Sequence, residues 1–150
     1  MIALVLAAAA ATALSGFGDL VGSCWRADFS ATVRDTHCFE AMYGGAHVRD
    51  RHEVTDKGKT VYAGETVYSL DGGATVFIYF NSLGGVGRGS VASEGAKMRF
   101  VGAMRASPDK PEQRIDSEWS GVGPEGYEVR SLVGDASTAG NSALRFTKVK

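Results

Sequence analysis

The sequence predicts an all-β protein, an antiparallel up-and-down β-barrel of about eight to ten strands, and three observations lead there. From Gly22 onward, short stretches rich in Val, Thr, Tyr and Phe alternate with glycine-bearing turns such as Tyr43-Gly44-Gly45, Asp56-Lys57-Gly58, Asp71-Gly72-Gly73 and Gly123-Pro124-Glu125-Gly126. No window from 22 to 150 keeps an apolar stripe at helical spacing, and the twenty glycines would weaken any helix interior. Several stretches alternate apolar and polar residues with the period of two that a half-buried strand requires.

The first thirteen residues, MIALVLAAAAATA, carry no charged side chain and run apolar from Ile2 to Ala11. That is the length of a signal-peptide core and too short to span a bilayer. Ala11-Thr12-Ala13 fits the small-x-small pattern before a cleavage site. The expectation is a signal peptide over 1–13 and a single barrel domain over 14–150, periplasmic or secreted, with no stable membrane anchor. A lipoprotein reading of Val21-Gly22-Ser23-Cys24 is set aside because Ser15 to Asp19 separates the apolar run from the cysteine.

Cys24 and Cys38 are the only cysteines, and an even count in an exported chain favours a disulfide over a metal site or a catalytic thiol. A formal net charge of −1 with no basic block excludes nucleic acid as an expected partner.

Along the chain, Trp25, Ala27, Phe29 and Val33 fall on the inward side, with Cys24, Arg26, Asp28 and Arg34 outward. Further strands are expected over 36–43, 46–55, 60–70, 74–82, 89–93, 96–105, 113–121 and 142–149. In 96–105, Met98, Phe100 and Met104 face in while Lys97, Arg99 and Arg105 face out. Tyr127, Val129 and Val133 face away from Glu128 and Arg130. Gly84 to Gly89 reads as a turn, a bulge or a mobile flap, since no helix pattern follows that would make it a nucleotide-binding loop. Asp135 to Ser142 reads as a polar loop.

Titratable residues are densest in Asp35-Thr36-His37-Cys38-Phe39-Glu40 and from His47 to Glu53, which together hold all three histidines. On a strand over 46–55, Val48, Asp50, His52 and Val54 share one face and His47, Arg49, Arg51 and Glu53 the other. The second set has no apolar member and faces water, which turns Asp50 and His52 inward. Two apart on one strand face, Asp50 would orient His52 as a general base; the plainer reading is a structural pair satisfied by hydrogen bonds. A zinc site built on all three histidines conflicts with the opposite facing of His47 and His52, although His37, His52 and Asp50 can meet across paired strands.

At Leu20-Val21-Gly22-Ser23-Cys24-Trp25 the chain resembles the lipocalin-like, or calycin, superfamily, in which a Gly shortly precedes a Trp at the head of the first strand. Asp35 to Phe39, Gly44 to His52, Tyr62 to Tyr68 and Asn81 to Gly85 are similar to bacterial exported proteins of this type with no assigned function. The resemblance implies that Trp25 closes one barrel end. The chain departs from the group in one extra residue between Gly22 and Trp25 and in lacking a recognisable helix after the barrel. Nitrobindin-like haem proteins of the superfamily ligate iron through a histidine late in the chain; here no histidine follows His52, so that haem site does not carry over.

The resulting expectation is a binding module for a small apolar or amphipathic molecule, with ligand contacts from Trp25, Phe39, Tyr43, Tyr68 and Trp119 and polar anchoring from Asp50 and His52. No cofactor is implied and no metal ligands are assigned. Two alternatives stand beside it: an enzyme using the Asp50–His52 pair in the barrel cavity, and a solid-core structural or protein-interaction module.

Overall fold

The structure, a computed structural model, describes residues 14–133 and 143–150. Ten antiparallel strands close into a single barrel: β1 Cys24–Asp28, β2 Val33–Met42, β3 His47–Asp56, β4 Lys59–Asp71, β5 Ala74–Asn81, β6 Val86–Glu94, β7 Lys97–Arg105, β8 Glu112–Gly123, β9 Gly126–Ser131 and β10 Leu144–Lys148. Each strand pairs with its sequence neighbours, and β1 closes the ring on β10 through Trp25↔Lys148 and Arg26↔Thr147. Closure leaves no unpaired sheet edge. Among the described residues, no helix is long and apolar enough to cross a membrane.

Turn chemistry explains the hairpins. Lys57 and Gly58 both take positive φ between the paired Asp56 and Lys59, the two-residue turn whose twist matches its flanking strands. The single strand expected through 24–34 is instead two, because Ser30 Oγ accepts hydrogen bonds from the amides of Thr32 and Val33 and folds residues 29–32 into a turn. That turn leaves Phe29 exposed instead of inward. Its even length preserves the alternation, so Trp25 and Ala27 on β1 and Asp35 and Phe39 on β2 are all buried.

The glycine-rich segment is mostly strand, not flap. Only Ser82 to Gly85 turns, and Gly87 and Gly89 lie within β6. A Cβ on Gly89 would sit 2.2 Å from the Val101 carbonyl oxygen and 2.7 Å from the Phe77 ring, so the close approach of β6 to its neighbours requires glycine. Val133, expected inward, is 44% exposed just past the end of β9. The expected signal peptide over 1–13 and the polar loop over 135–142 lie outside the described residues.

Cys24 and Cys38 form a disulfide on the outer face, where they are direct cross-strand partners in the β1–β2 pair. A disulfide is compatible with an exported protein.

The core occupies the barrel end that carries the β2–β3, β4–β5, β6–β7 and β8–β9 turns. A short 3-10 turn, Ser15–Phe17, lays Leu14, Phe17 and Leu20 into it, all at most 5% exposed. Phe17 stacks on Tyr68 with ring centroids 4.3 Å apart, and the Leu20 carbonyl accepts a hydrogen bond from Trp25 Nε1 at 3.1 Å. Below this plug, Trp25, Phe39, Phe100, Trp119, Tyr127 and Phe146 pack ring against ring. Burying each such side chain stabilises the fold by about 1.5–3 kcal/mol.

Candidate functional site

Toward the opposite end the inner wall changes character. Period two carries β2 from Val33 to Asp35 and His37, β3 through Asp50 and His52, β4 through Tyr62 and Gly64, and β5 through Phe77 and Tyr79. The direct partners His37↔His52 and His52↔Gly64 bring these positions into one patch across four strands.

Six side chains join there in a continuous hydrogen-bonded chain. Both Asp50 oxygens face His37 Nδ1, at 2.8 and 2.9 Å. His37 Nε2 meets Asp35 Oδ2 at 3.2 Å, and the other Asp35 oxygen meets His52 Nδ1, also at 3.2 Å. His52 Nε2 lies 3.2 Å from the Tyr79 hydroxyl, which contacts the hydroxyl of Tyr62. The two imidazoles are stacked with centroids 4.7 Å apart. Burial falls along the chain, from 2% exposure at Asp50 to half-buried Tyr62 and Tyr79.

The electrostatics follow from this order. His37 has a carboxylate oxygen on each nitrogen, so its ring donates from both and carries a positive charge. Burial acts to lower its pKa, but the Asp50 charge and the hydrogen bonds to Asp35 and Asp50 override this and push it up to about 10. Burial likewise acts to raise the Asp35 carboxyl; hydrogen bonds from His37 and His52 and the charges of both rings reverse that and hold it well below the usual carboxylate range. Burial, followed by the hydrogen bond with Tyr62, raises Tyr79, and burial with the nearby Asp50 charge raises Tyr68 and Tyr127.

Gly64 is what allows His52 and Tyr79 to meet. A Cβ at residue 64 would stand 2.4 Å from His52 Nε2 and 2.7 Å from the Tyr79 hydroxyl oxygen. On the outer side of the same four strands runs a groove of about 560 Å³. The outward side chains of Arg51, Glu53, Glu65 and Phe80 line it together with Cys38, and His52 and Gly64 belong to its lining as well. It therefore combines one aromatic ring with charges of both signs.

The residues singled out in the sequence separate into three groups. Asp50 and His52 lie on the inner wall, but Asp50 pairs with His37, and the carboxylate on His52 Nδ1 belongs to Asp35. Trp25, Phe39, Tyr68 and Trp119 are buried in the core and pack against other rings. Tyr43 does not join that wall: it opens a 3-10 turn at positive φ and is 83% exposed. Asp35, Tyr62 and Tyr79 complete the polar chain and were not among the expected ligand contacts, nor was Gly64, which leaves room for it. The signal for Asp35 was present, since the alternation through Trp25, Ala27 and Val33 continues directly onto Asp35 and His37.

No family model matches the chain and no curated protein matches it. Among solved structures it is similar to Rv2717c from M. tuberculosis, with a TM-score of 0.60, 14% sequence identity, and coverage of 92% of this chain and 98% of that one. At that identity the likeness shows the fold alone, a ten-stranded antiparallel barrel consistent with a lipocalin-like layout.

Proposed function

We propose that the protein is an exported binding module for a small amphipathic molecule, taken in the groove on the outer side of β2 to β5 and not among the aromatic side chains of the lumen. The observation that carries this reading is the groove itself. Its volume of about 560 Å³ lies within the range of ordinary small-molecule sites, and its lining is mixed in the way such sites are. Phe80, 49% exposed, offers an apolar surface, while Arg51, Glu53 and Glu65 offer charged anchors. Trp25, Phe39, Tyr68 and Trp119 serve the site indirectly, as the packed base that keeps the strands rigid. The likeness to lipocalin-like barrels supports a binding role, and the disulfide supports an extracytoplasmic setting.

Native mass spectrometry of the purified protein, with and without exposure to a lipid and metabolite mixture, tests the reading. The expected result is a bound mass that denaturation releases and that Phe80→Ala and Arg51→Gln each reduce, since both side chains point outward from the barrel. A protein that stays free of any bound mass in that mixture would contradict it and favour the solid-core interaction module.

A further inference from the structure

We propose that Asp35, His37 and His52 form a binding site for a divalent first-row transition ion such as Zn²⁺, with Asp50 as the carboxylate that orients His37. One ligand atom from each of Asp35, His37 and His52 lies within 4.8 Å of the others, across two paired strands. Zinc bonds of about 2.0–2.2 Å to imidazole nitrogen and carboxylate oxygen need donors at separations of this kind, reached here by small side-chain movements.

Hydrogen bonding on the far side of each ring strengthens the assignment. Asp50 takes His37 Nδ1 with both oxygens, which leaves Nε2 directed at Asp35. The Tyr79 hydroxyl takes His52 Nε2, which leaves Nδ1 directed at the other oxygen of Asp35. Both imidazoles are thus held by their outer nitrogens while their inner nitrogens converge on one carboxylate. A carboxylate behind a ligating histidine is the support that metal-bound imidazoles characteristically have, fixing the tautomer and the ring direction. Without the ion, a proton is shared at the His37–Asp35 contact; the ion takes its place between the two ligand atoms and the proton is released to solvent.

Two imidazoles and a carboxylate select a borderline transition ion over Ca²⁺ or Mg²⁺, which prefer all-oxygen sites. Three protein donors also leave at least one position of a four-coordinate ion for water or for a donor atom of another molecule. His47 is the internal control. It hydrogen-bonds Ser69 at 2.7 Å and is absent from the converging set.

This inference does not depend on an organic ligand occupying the outer groove, and its test uses metal alone. Chelator-stripped protein is titrated with Zn²⁺ by calorimetry and followed by imidazole ¹⁵N spectroscopy. The expected result is saturable one-to-one uptake, with shifts at His37 Nε2 and His52 Nδ1 and none at His47. His52→Gln abolishes uptake, Asp50→Asn weakens it about 10–100-fold, and His47→Gln leaves it unchanged. Absence of one-to-one uptake by the unaltered protein, or uptake whose shifts fall on His47, would overturn the proposal. The spectra of the unaltered protein decide the matter even where a variant fails to fold.

Discussion

Asp50 clamps His37 with both carboxylate oxygens, at 2.8 and 2.9 Å from Nδ1, although His52 is the histidine next to it on its own strand face. The contact runs diagonally from β3 to β2. It places a positive charge between two carboxylates on the inner wall, and stability should report it.

For the metal-free protein, this geometry sets a pH profile. The folded-state pKa of His37 is raised from 6.5 to about 10, so its contribution is fully present below pH 6.5 and is lost as pH rises toward 10. The Asp35 carboxyl is held below its ordinary 3.8, so its contribution is present above that value and is lost as pH falls. Urea unfolding at a series of pH values should therefore show greatest stability between these limits. On the alkaline side the decline should approach about 1.4 kcal/mol per pH unit, and His37→Gln should flatten it.

Phe17→Ala should destabilise the barrel by about 3–5 kcal/mol, because the ring is 1% exposed and stacked on Tyr68, leaving a void that the plug cannot fill. Chemical denaturation measures it. A loss well under 1 kcal/mol would mean that the segment does not seat in the barrel.

Gly64→Ala should cost about 1–3 kcal/mol through overpacking against His52 and Tyr79. The same substitution should change the ¹⁵N shift of His52 Nε2, whereas Gly72→Ala, at a turn with open space around it, should leave that shift alone.

Reduction of the Cys24–Cys38 disulfide, or its replacement by Cys24→Ser with Cys38→Ser, should lower stability by up to about 3 kcal/mol, the value for a loop of this length. The two residues are already paired across β1 and β2, so the barrel should remain closed. Thermal unfolding with and without reductant checks both statements.

How much of this was legible in the sequence depends on the kind of fact. Facing was legible: the lack of any apolar residue among His47, Arg49, Arg51 and Glu53 turned Asp50 and His52 inward, and buried Asp50 lies there. Cross-strand register was not, because it depends on the 3-10 turn at Tyr43–Gly45, whose positive-φ residues no alternation reveals. Asp50 was therefore matched to the histidine beside it in sequence instead of to His37. The N-terminal plug was hidden for another reason. Leu14, Phe17 and Leu20 are spaced by three, as a 3-10 turn needs, yet that stretch is too short to register as an element and read as a spacer before Cys24. Of the expected wall aromatics, Trp25, Phe39, Tyr68 and Trp119 lie on strands while Tyr43 does not, and pattern alone does not separate a ring that lines a cavity from one that fills it.

Both functional proposals stand on the patch of β2 to β5 whose inner side holds His37 charged between Asp35 and Asp50. The most direct measurement is imidazole ¹⁵N spectroscopy of the metal-free protein across neutral and alkaline pH. The predicted result is a His37 ring protonated on both nitrogens through neutral pH, losing its proton only as pH approaches 10. A His37 that is already neutral at neutral pH, with one nitrogen unprotonated, would contradict the charged clamp between Asp35 and Asp50.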